Sequence, residues 1–373
     1  MPASLKISTL AATVALTAAL AGCSTGGGSP AASSSSSVSL SHESISAMTH
    51  QARREHGLVI YANIPSGYLQ PVINAFNKRY AFIKISAADL NDDVVFTKYE
   101  TEAAQGARTA DLLIASAPTL WLQAEQNGVS AGFTPTGLGA FPSWVNQGHG
   151  VFIMSAEPIL LTHNDKLLTG SQVPTTYAQL AADAKANPGK YKLVSYDITN
   201  PLNYAGIYGL THVLGAPKLW SYYRAMAPVT KTFNDGLTAL TYMLQGGATL
   251  GYMTSGLAQG VLPHYKGLAS YSYMQDATPL IPRGITVTKN AASPASARLF
   301  LDFLYTQAGQ DALCAGGFEA TMNNFHSANG CTASLTALQG HVPPKTIYLV
   351  PINQAVVSQQ SAITKRWNQA FHR

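Results

Sequence analysis

Strand and helix patterns alternate from Gly57 to Trp121, and this alternation restricts the fold more than any other feature of the sequence. The apolar run at its start, GLVIYANI, is followed by a segment with Leu69, Val72 and Phe76 at helical spacing. The predicted segments are a strand at 57–64, a helix at 68–80, a strand at 82–87, a polar helix at 98–110, and a strand running into a loop at 111–121. This order predicts a parallel sheet flanked by helices, with ligand sites at the carboxyl ends of the strands.

A second series of the same kind follows. It begins with two apolar runs at 150–164 that could cross between lobes, followed by a helix within 173–191 and by a strand, a polar turn and a helix within 192–215. Next come a helix that is broken by two glycines and a strand, both within 238–256, and a returning strand at 283–291. The last predicted segments are an amphipathic helix at 293–313 and a short helix at 364–371. The folded part spans roughly 320 residues, more than one core usually serves, so we predict two lobes.

The start of the chain is typical of export. Residues 1–22 carry one charge, Lys6, and end in a short apolar run that closes with LAGC at Cys23. This run is too short for a membrane span, which needs roughly 20 apolar residues, and it indicates a signal peptide. LAGC resembles the lipobox of bacterial lipoproteins, so we expect lipid on Cys23. The Ser/Gly-rich stretch 23–50 then predicts a flexible tether that holds an exported domain at a membrane surface, facing the periplasm or the cell exterior.

Charge indicates which kinds of partner to expect, and the cysteine content predicts a disulfide. The formal net charge is +5, and the basic residues are scattered without a long run, so we expect no nucleic-acid partner. Only 11% of residues are charged, whereas 18 are tyrosine, a composition suited to hydrogen-bonded recognition of a solute. Besides Cys23 the cysteines are Cys314 and Cys331, and in an oxidising compartment this pair predicts a disulfide across a Gly- and Asn-rich loop.

The ordered set of segments resembles bacterial ABC-transporter solute-binding proteins, specifically the group that contains ferric-iron-binding proteins and relatives for small phosphorylated or cationic solutes. The resemblance covers about residues 57–315. The segments that carry it are LVIYANIPSGYLQPVINAFNKRY (58–80), ADLLIAS (110–116), VPTTYAQL (173–180), LQGGATLGYM (244–253) and PRGITVTKNAASPASARLFLDFLYTQAGQDAL (282–313). No single segment is a strict motif.

The resemblance implies an α/β fold of the type II periplasmic-binding-protein class. Each of its two lobes would be a mostly parallel sheet flanked by helices, joined by a two-strand hinge. Lobe 1 would be discontinuous, at 57–155 and 285–373, and lobe 2 would span 160–280. The implied activity is reception of a small solute, trapped between the lobes and delivered to a permease and ATPase complex. We expect a monomer without a cofactor, and closure around the ligand is the expected motion.

The ferric-iron relatives bind metal through an adjacent tyrosine pair, and this chain has Met253-Thr254-Ser255 at that place. They often carry a histidine after the first strand, where this chain has Ile64-Pro65-Ser66. The pair Tyr222-Tyr223 falls in a predicted helix and is interpreted as packing. We therefore expect no metal site, and predict a small polar or anionic organic solute, phosphorylated solutes included. The alternative solutes are ferric iron and a neutral sugar. The alternative function is that of a sensor or adhesive lipoprotein without transport.

Candidate ligand residues lie in loops that end strands and start helices, where backbone N–H groups and the helix dipole favour anions. Each could equally serve as a helix cap or turn residue. The candidates are Ser66, Gly67, Tyr68, Ser116, Thr119, Thr199, Asn200, Asn203 and Tyr204, with Tyr252, Tyr265 and Arg283 as weaker ones. A surface salt bridge would also account for Arg283. We expect no enzymatic activity, because the chain has no Gly-x-Ser-x-Gly, His-Glu-x-x-His, Cys-x-x-Cys or phosphate-binding Gly-rich loop with Lys.

Overall fold

A computed structural model describes residues 44–372. The predicted signal peptide, Cys23 and most of the predicted tether therefore lie outside the described residues. The helices of the described part are α1 (Ile45–Ala52), α2 (Ser66–Arg79), α3 (Asp92–Ala104), α4 (Pro118–Gln126), α5 (Tyr177–Ala186), α6 (Pro201–Leu214), α7 (Ala216–Met226), α8 (Gly236–Leu244), α9 (Ala258–Val261), α10 (Pro294–Leu304), α11 (Gln307–Ala315), α12 (Leu335–His341) and α13 (Gln354–Ala370). None of them is long and apolar enough to span a membrane.

The strands form two sheets. They are β1 (Leu58–Ala62), β2 (Ile85–Asp89), β3 (Leu112–Ala115), β4 (Asn146–Gly148), β5 (Val151–Pro158), β6 (Leu160–Asn164), β7 (Leu193–Tyr196), β8 (Thr230–Phe233), β9 (Leu250–Thr254), β10 (Ala269–Tyr273), β11 (Thr278–Val287) and β12 (Ile347–Leu349). The larger sheet has the order β2-β1-β3-β11-β5-β4, with β12 also paired to β11, and the smaller has the order β10-β6-β9-β7-β8. The predicted α/β fold with two sheets is confirmed.

Two connections join the sheets. Only Ile159 separates β5 of the larger sheet from β6 of the smaller one, and β11 returns the chain from β10 to the larger sheet. β5 and β11 are antiparallel neighbours in which every residue is buried. A continuous apolar run is expected for strands that are covered on both faces, so charged residues within these two strands are exceptional.

Side-chain caps fix the starts of most helices in the described part of the chain. Thr176, an expected N-cap, accepts the N–H of Gln179 at the start of α5. The predicted helix at 293–313 is instead two helices, because the Thr306 side chain caps α11 by accepting the N–H of Gly309. The chain turns so tightly there that a Cβ at Gly309 would lie 2.0 Å from the carbonyl oxygen of Phe303.

Three further boundaries differ from the prediction. α3 begins six residues before the expected 98, because Asp92 and Asp93 suit the positive end of a helix dipole. The expected loop after β3 contains α4, which starts at Pro118. Residues 45–52, mostly assigned to the tether, form α1, since Met48 and Ala52 are buried in the core of the larger sheet.

The C-terminal helix also differs in placement. The sequence assigned it to lobe 1, but Val356, Ile363 and Trp367 of α13 pack in the hydrophobic core that surrounds the smaller sheet. Their spacing places them on one face of the helix. The predicted bond between Cys314 and Cys331 is present, with a Cα–Cα distance of 5.9 Å, and it ties the end of α11 to the loop that follows.

Candidate functional site

A buried ion pair lies where the two sheets meet. Arg283 on β11 donates from Nη2 to Oε2 of Glu157 on β5 at 3.1 Å, and its Nε donates to the other carboxylate oxygen. Its Nη1 donates to the carbonyl of Asn63, directly after β1, at 2.6 Å. Both side chains are only 1% exposed. Arg283 is therefore not in the surface salt bridge that the sequence left open, and it joins β1, β5 and β11 at one point.

Two helices start next to this pair without a side-chain cap. α2 follows β1 and α4 follows β3, and the N-cap residues Pro65 and Ala117 form no side-chain cap bond. β1 and β3 are adjacent parallel strands, so both helices start at the same edge of the sheet. The starts hold the predicted residues Ser66 and Gly67, which are exposed, and Thr119, which is half-buried. Uncapped N–H groups at helix starts favour an anionic ligand atom.

Ser116 and Asp92 lie beside the start of α4. The backbone N–H of Ser116 donates to Oδ1 of Asp92 at 2.9 Å, and the Ser116 hydroxyl is fully buried without a hydrogen-bond partner among the described residues. Burial raises the pKa of Asp92 to about 6, while the nearby Arg283 acts in the opposite direction. Ser116 therefore contributes a hydroxyl that has no partner among the described residues but is closed off from solvent.

The smaller sheet contributes residues from the end of β9. Ser255 donates its hydroxyl to Oε2 of Glu157 at 2.8 Å. Two residues before it, Met253 has φ 63° and the register against β6 shifts by one residue, which defines a β-bulge. A buried, non-glycine residue in this conformation is strained, and such strain is concentrated at functional sites. The Tyr196 hydroxyl, at the end of β7, lies 3.4 Å from the Ser255 nitrogen.

Two tyrosines, Tyr68 and Tyr196, lie close enough to Glu157 for its charge to act on them. Burial, followed by the charge of Glu157, raises the pKa of Tyr68 to about 12, and Tyr265 lies close enough to affect it. Burial likewise raises the pKa of Tyr196 to about 12. These two phenols keep their protons near neutral pH and act as neutral hydrogen-bonding groups. Tyr265 is 39% exposed.

A second acidic side chain lies in the same region. Glu319 is fully buried and accepts a hydrogen bond from Gln259 Nε2 at 3.0 Å, and Gln259 in turn accepts one from the Tyr273 hydroxyl at 2.6 Å. The other carboxyl oxygen of Glu319, Oε1, has no hydrogen-bond partner among the described residues. Burial raises the pKa of Glu319 to about 8, and Glu157 adds to this effect. Glu319 therefore links the loop after α11 to α9 and β10.

The backbone itself is closely packed at this contact. A Cβ placed on Gly260 would lie 2.9 Å from the Cα of Gly317, and a Cβ on Gly316 would lie 2.3 Å from the carbonyl oxygen of Tyr68. Glycine is required at such positions because any side chain would push the two segments apart. The loop held by the disulfide thus touches both α9 and the start of α2.

The remaining predicted residues have mainly structural partners. Asn200 caps α6 by accepting the N–H groups of Leu202 and Asn203, and Thr199 donates to Asp197. Asn203 is fully buried and donates to the carbonyl of Tyr196 at 2.8 Å. Tyr204 is buried in the core, where its hydroxyl donates to the carbonyl of Val356. The structure does not bring Thr199, Asn200 or Tyr204 into contact with the Arg283–Glu157 pair, and a ligand-binding role for them stays a prediction.

Tyr252 faces the smaller-sheet core. Its ring contacts Tyr223 edge to face at 6.0 Å, and its hydroxyl lies 3.4 Å from that of Thr230. Burial raises the pKa of Tyr252 to about 12, so it is not poised to ionise. Tyr223 lies in α7 as packing, as interpreted from the sequence. Among residues 44–372 there is no group of three or more His, Cys, Asp or Glu side chains placed to hold a metal ion.

Sequence reasoning missed Glu157, Glu319, Ser255, Gln259 and Asp92. Glu157 had a usable signal, since it is the only charge in the apolar run VFIMSAEPILL, just as Arg283 is in PLIPRGITV. A lone charge in such a run is almost never fully buried unless it is paired. Glu319 had no such signal, because it lies in a loop whose path depends on long-range packing.

Comparison with known proteins gives a family and a fold. Residues 61–311, more than half of the chain, match the family model described as bacterial extracellular solute-binding protein. No curated protein matches in sequence. Among solved structures, the substrate-binding protein of an ABC transporter from Agrobacterium tumefaciens is similar with a TM-score of 0.76 and 20% identity, over 86% of this chain and 97% of that one.

Two other solved structures share the fold. Iron-bound HitA from Pseudomonas aeruginosa has a TM-score of 0.65 and 15% identity, over 84% of this chain and 99% of that one. AfuA from Actinobacillus pleuropneumoniae, with fructose-6-phosphate bound, has a TM-score of 0.66 and 16% identity, over 85% and 98%. At these identities the likeness establishes the fold, and the ligands named belong to those proteins.

Proposed function

Since this chain belongs to the bacterial extracellular solute-binding proteins of ABC transporters, we propose that it traps a small polar or anionic organic solute between its two sheets and delivers it to a permease. One observation carries the proposal. Arg283 and Glu157, on strands shared by the two halves, hold together the end of β1 and Ser255 after β9. A ligand bound beside this pair would contact both halves at once, and its binding energy would favour the closed arrangement.

The chemistry of the surrounding groups supports this solute class. The starts of α2 and α4 offer N–H groups and a partial positive charge to a phosphate or carboxylate. The buried Oε1 atom of Glu319, which has no hydrogen-bond partner among the described residues, is the remaining acceptor for a hydroxyl group of the same solute. A solute with an anionic group and several hydroxyls, such as a sugar phosphate, satisfies both sets of groups.

Calorimetric titration tests the class. We expect glucose 6-phosphate or fructose 6-phosphate to bind at least ten-fold more tightly than the corresponding neutral sugar, because charge-assisted hydrogen bonds contribute about 1.5–3 kcal/mol each. Ferric citrate is the third titrant. Tight ferric binding with a tyrosinate charge-transfer band would contradict the proposed solute class. Equal affinity for the sugar and its phosphate would contradict only the proposal that the solute carries an anionic group. The single variant Ser116→Ala should weaken phosphate-ester binding. Thr134→Ala is the control, because it removes another buried hydroxyl that has no hydrogen-bond partner among the described residues.

We also propose that the protein is anchored through lipid on Cys23, which lies outside the described residues. The support is the sequence LAGC and the Ser/Gly-rich stretch that follows it. Cys23→Ala should move the protein from the membrane fraction to the soluble exported fraction, measured by fractionation of cells. Membrane-extracted protein whose unmodified N-terminus lies upstream of Cys23 would contradict the proposal.

A further inference from the structure

A surface cavity lies between α7 and α13, two helices that supply no residue to the site described above. Its volume is about 350 Å³, and it is lined by Trp220, Arg224, Arg366, Gln369 and Ala370. The Trp220 ring is almost fully buried, whereas both arginines and Gln369 are exposed. A cavity of this size is in the range of small-ligand pockets.

The two helices that line the cavity carry charged residues of one sign only. α7 carries Lys218 and Arg224, α13 carries Lys365 and Arg366, and neither helix contains an acidic residue. The bias extends along the chain, since residues 198–234 and 320–373 contain seven of the 23 Lys and Arg residues and none of the 18 Asp and Glu residues. Within the described part of the chain, Arg224 and Arg366 take part in no ion pair. Their charges therefore remain uncompensated at the cavity mouth.

This combination has a specific chemical meaning. A guanidinium group presents a rigid fork of N–H donors that matches a phosphate, and two such groups on neighbouring helices can hold one phosphate from two sides. The Gln369 amide adds a neutral donor and the Trp220 ring an apolar wall. We propose that this cavity is a second binding site, which holds the phosphate group of a phosphate monoester or of a phospholipid headgroup.

The two sources of the phosphate lead to different experiments on one protein. The full-length Cys23→Ala protein is used, so that lipid attached at residue 23 does not contribute to membrane binding. One arm titrates glycerol 3-phosphate by calorimetry. The other measures co-sedimentation with vesicles of phosphatidylcholine, with and without phosphatidylglycerol, at low and at physiological salt, because electrostatic attraction to a surface falls with ionic strength.

A matched pair of double variants separates the cavity from the general charge. Arg224→Gln with Arg366→Gln removes the two lining cations, and Lys218→Gln with Lys365→Gln removes the same charge from the same two helices outside the cavity. All four residues are exposed, so both variants should fold, which thermal unfolding checks. We expect the arginine variant to lose at least about ten-fold in affinity, because it loses the charge-assisted hydrogen bonds to the phosphate. The lysine variant should lose no more than about three-fold, because it loses only the general attraction of two positive charges.

Each outcome decides the inference. Arginine-dependent binding to phosphatidylglycerol vesicles assigns the site to a lipid headgroup, and arginine-dependent binding of glycerol 3-phosphate alone assigns it to a free ester. Absence of binding in both arms overturns the inference, as does an equal loss in the two variants, which would mean non-specific attraction. Glycerol 3-phosphate binding that neither variant changes also overturns it, while leaving the proposed solute site intact.

Discussion

Replacing Arg283 by methionine is expected to lower the free energy of unfolding by about 3–5 kcal/mol, because it leaves a buried carboxylate without its partner. Glu157 would keep only the Ser255 hydroxyl, at 2.8 Å. Asn63 would also lose the Nη1 donor to its carbonyl group. Urea-induced unfolding of the wild type and the variant at pH 7 measures the difference.

The control is the double variant Arg283→Met with Glu157→Gln. It removes both charges and keeps a polar group for Ser255, so most of the lost stability should return, since buried ion pairs can often be replaced together at little cost. A single variant within about 1 kcal/mol of the wild type would mean that the pair behaves as an exposed one. That result would contradict the burial on which the site rests.

Replacing Glu319 by glutamine is expected to flatten the dependence of stability on pH between about 6 and 8. Burial raises the pKa of this carboxyl to about 8, so the folded protein holds a proton there that the unfolded chain has released. Stability from this group is complete below the unfolded pKa and is lost as the pH rises through the folded value. At about 1.4 kcal/mol per pH unit, the wild type should lose on the order of 3 kcal/mol across this window.

The variant keeps an amide oxygen as an acceptor for Gln259 but does not titrate. Asp92, whose pKa is raised to about 6, acts in the same direction at lower pH, which is why the window begins at 6. Unfolding free energies at several pH values provide the measurement. Glu100→Gln, on the half-buried face of α3, is the matched control because it also replaces one carboxyl group by an amide. An equal slope in the wild type and the Glu319→Gln variant would contradict the burial of a neutral carboxyl group at this contact.

The fold was largely predictable because its determinants are local. The strand runs at 57–64 and 111–115, the Thr176 cap and the break at Gly246-Gly247 all follow from neighbouring residues. The break between α10 and α11 was missed, because the apolar stripe continues through Tyr305 and only the Thr306 cap ends it. In this case a short-range polar contact prevails over a pattern that would otherwise extend the helix.

The site was less predictable because its contacts join distant parts of the chain. Glu157 and Arg283 are 126 residues apart and meet only when the two connecting strands pair. Gln259 and Glu319 are 60 residues apart and meet where Gly260 packs on Gly317. The sequence could place Ser66, Tyr68 and Ser116 at strand-to-helix loops, but it could not show that Asn200 is used as a cap or that Tyr204 faces the core.

Small-angle X-ray scattering of the protein with and without a saturating solute identified by calorimetry tests the central claim most directly. A ligand that bridges the residues around Glu157 should favour the closed arrangement, so the radius of gyration should fall when the solute is added. The same solute at 100 times its dissociation constant should raise the stability of the native state by about 2.7 kcal/mol, which confirms that the site is saturated. A radius of gyration that stays the same at saturation would contradict the account, because the solute would then bind without bringing the two halves together.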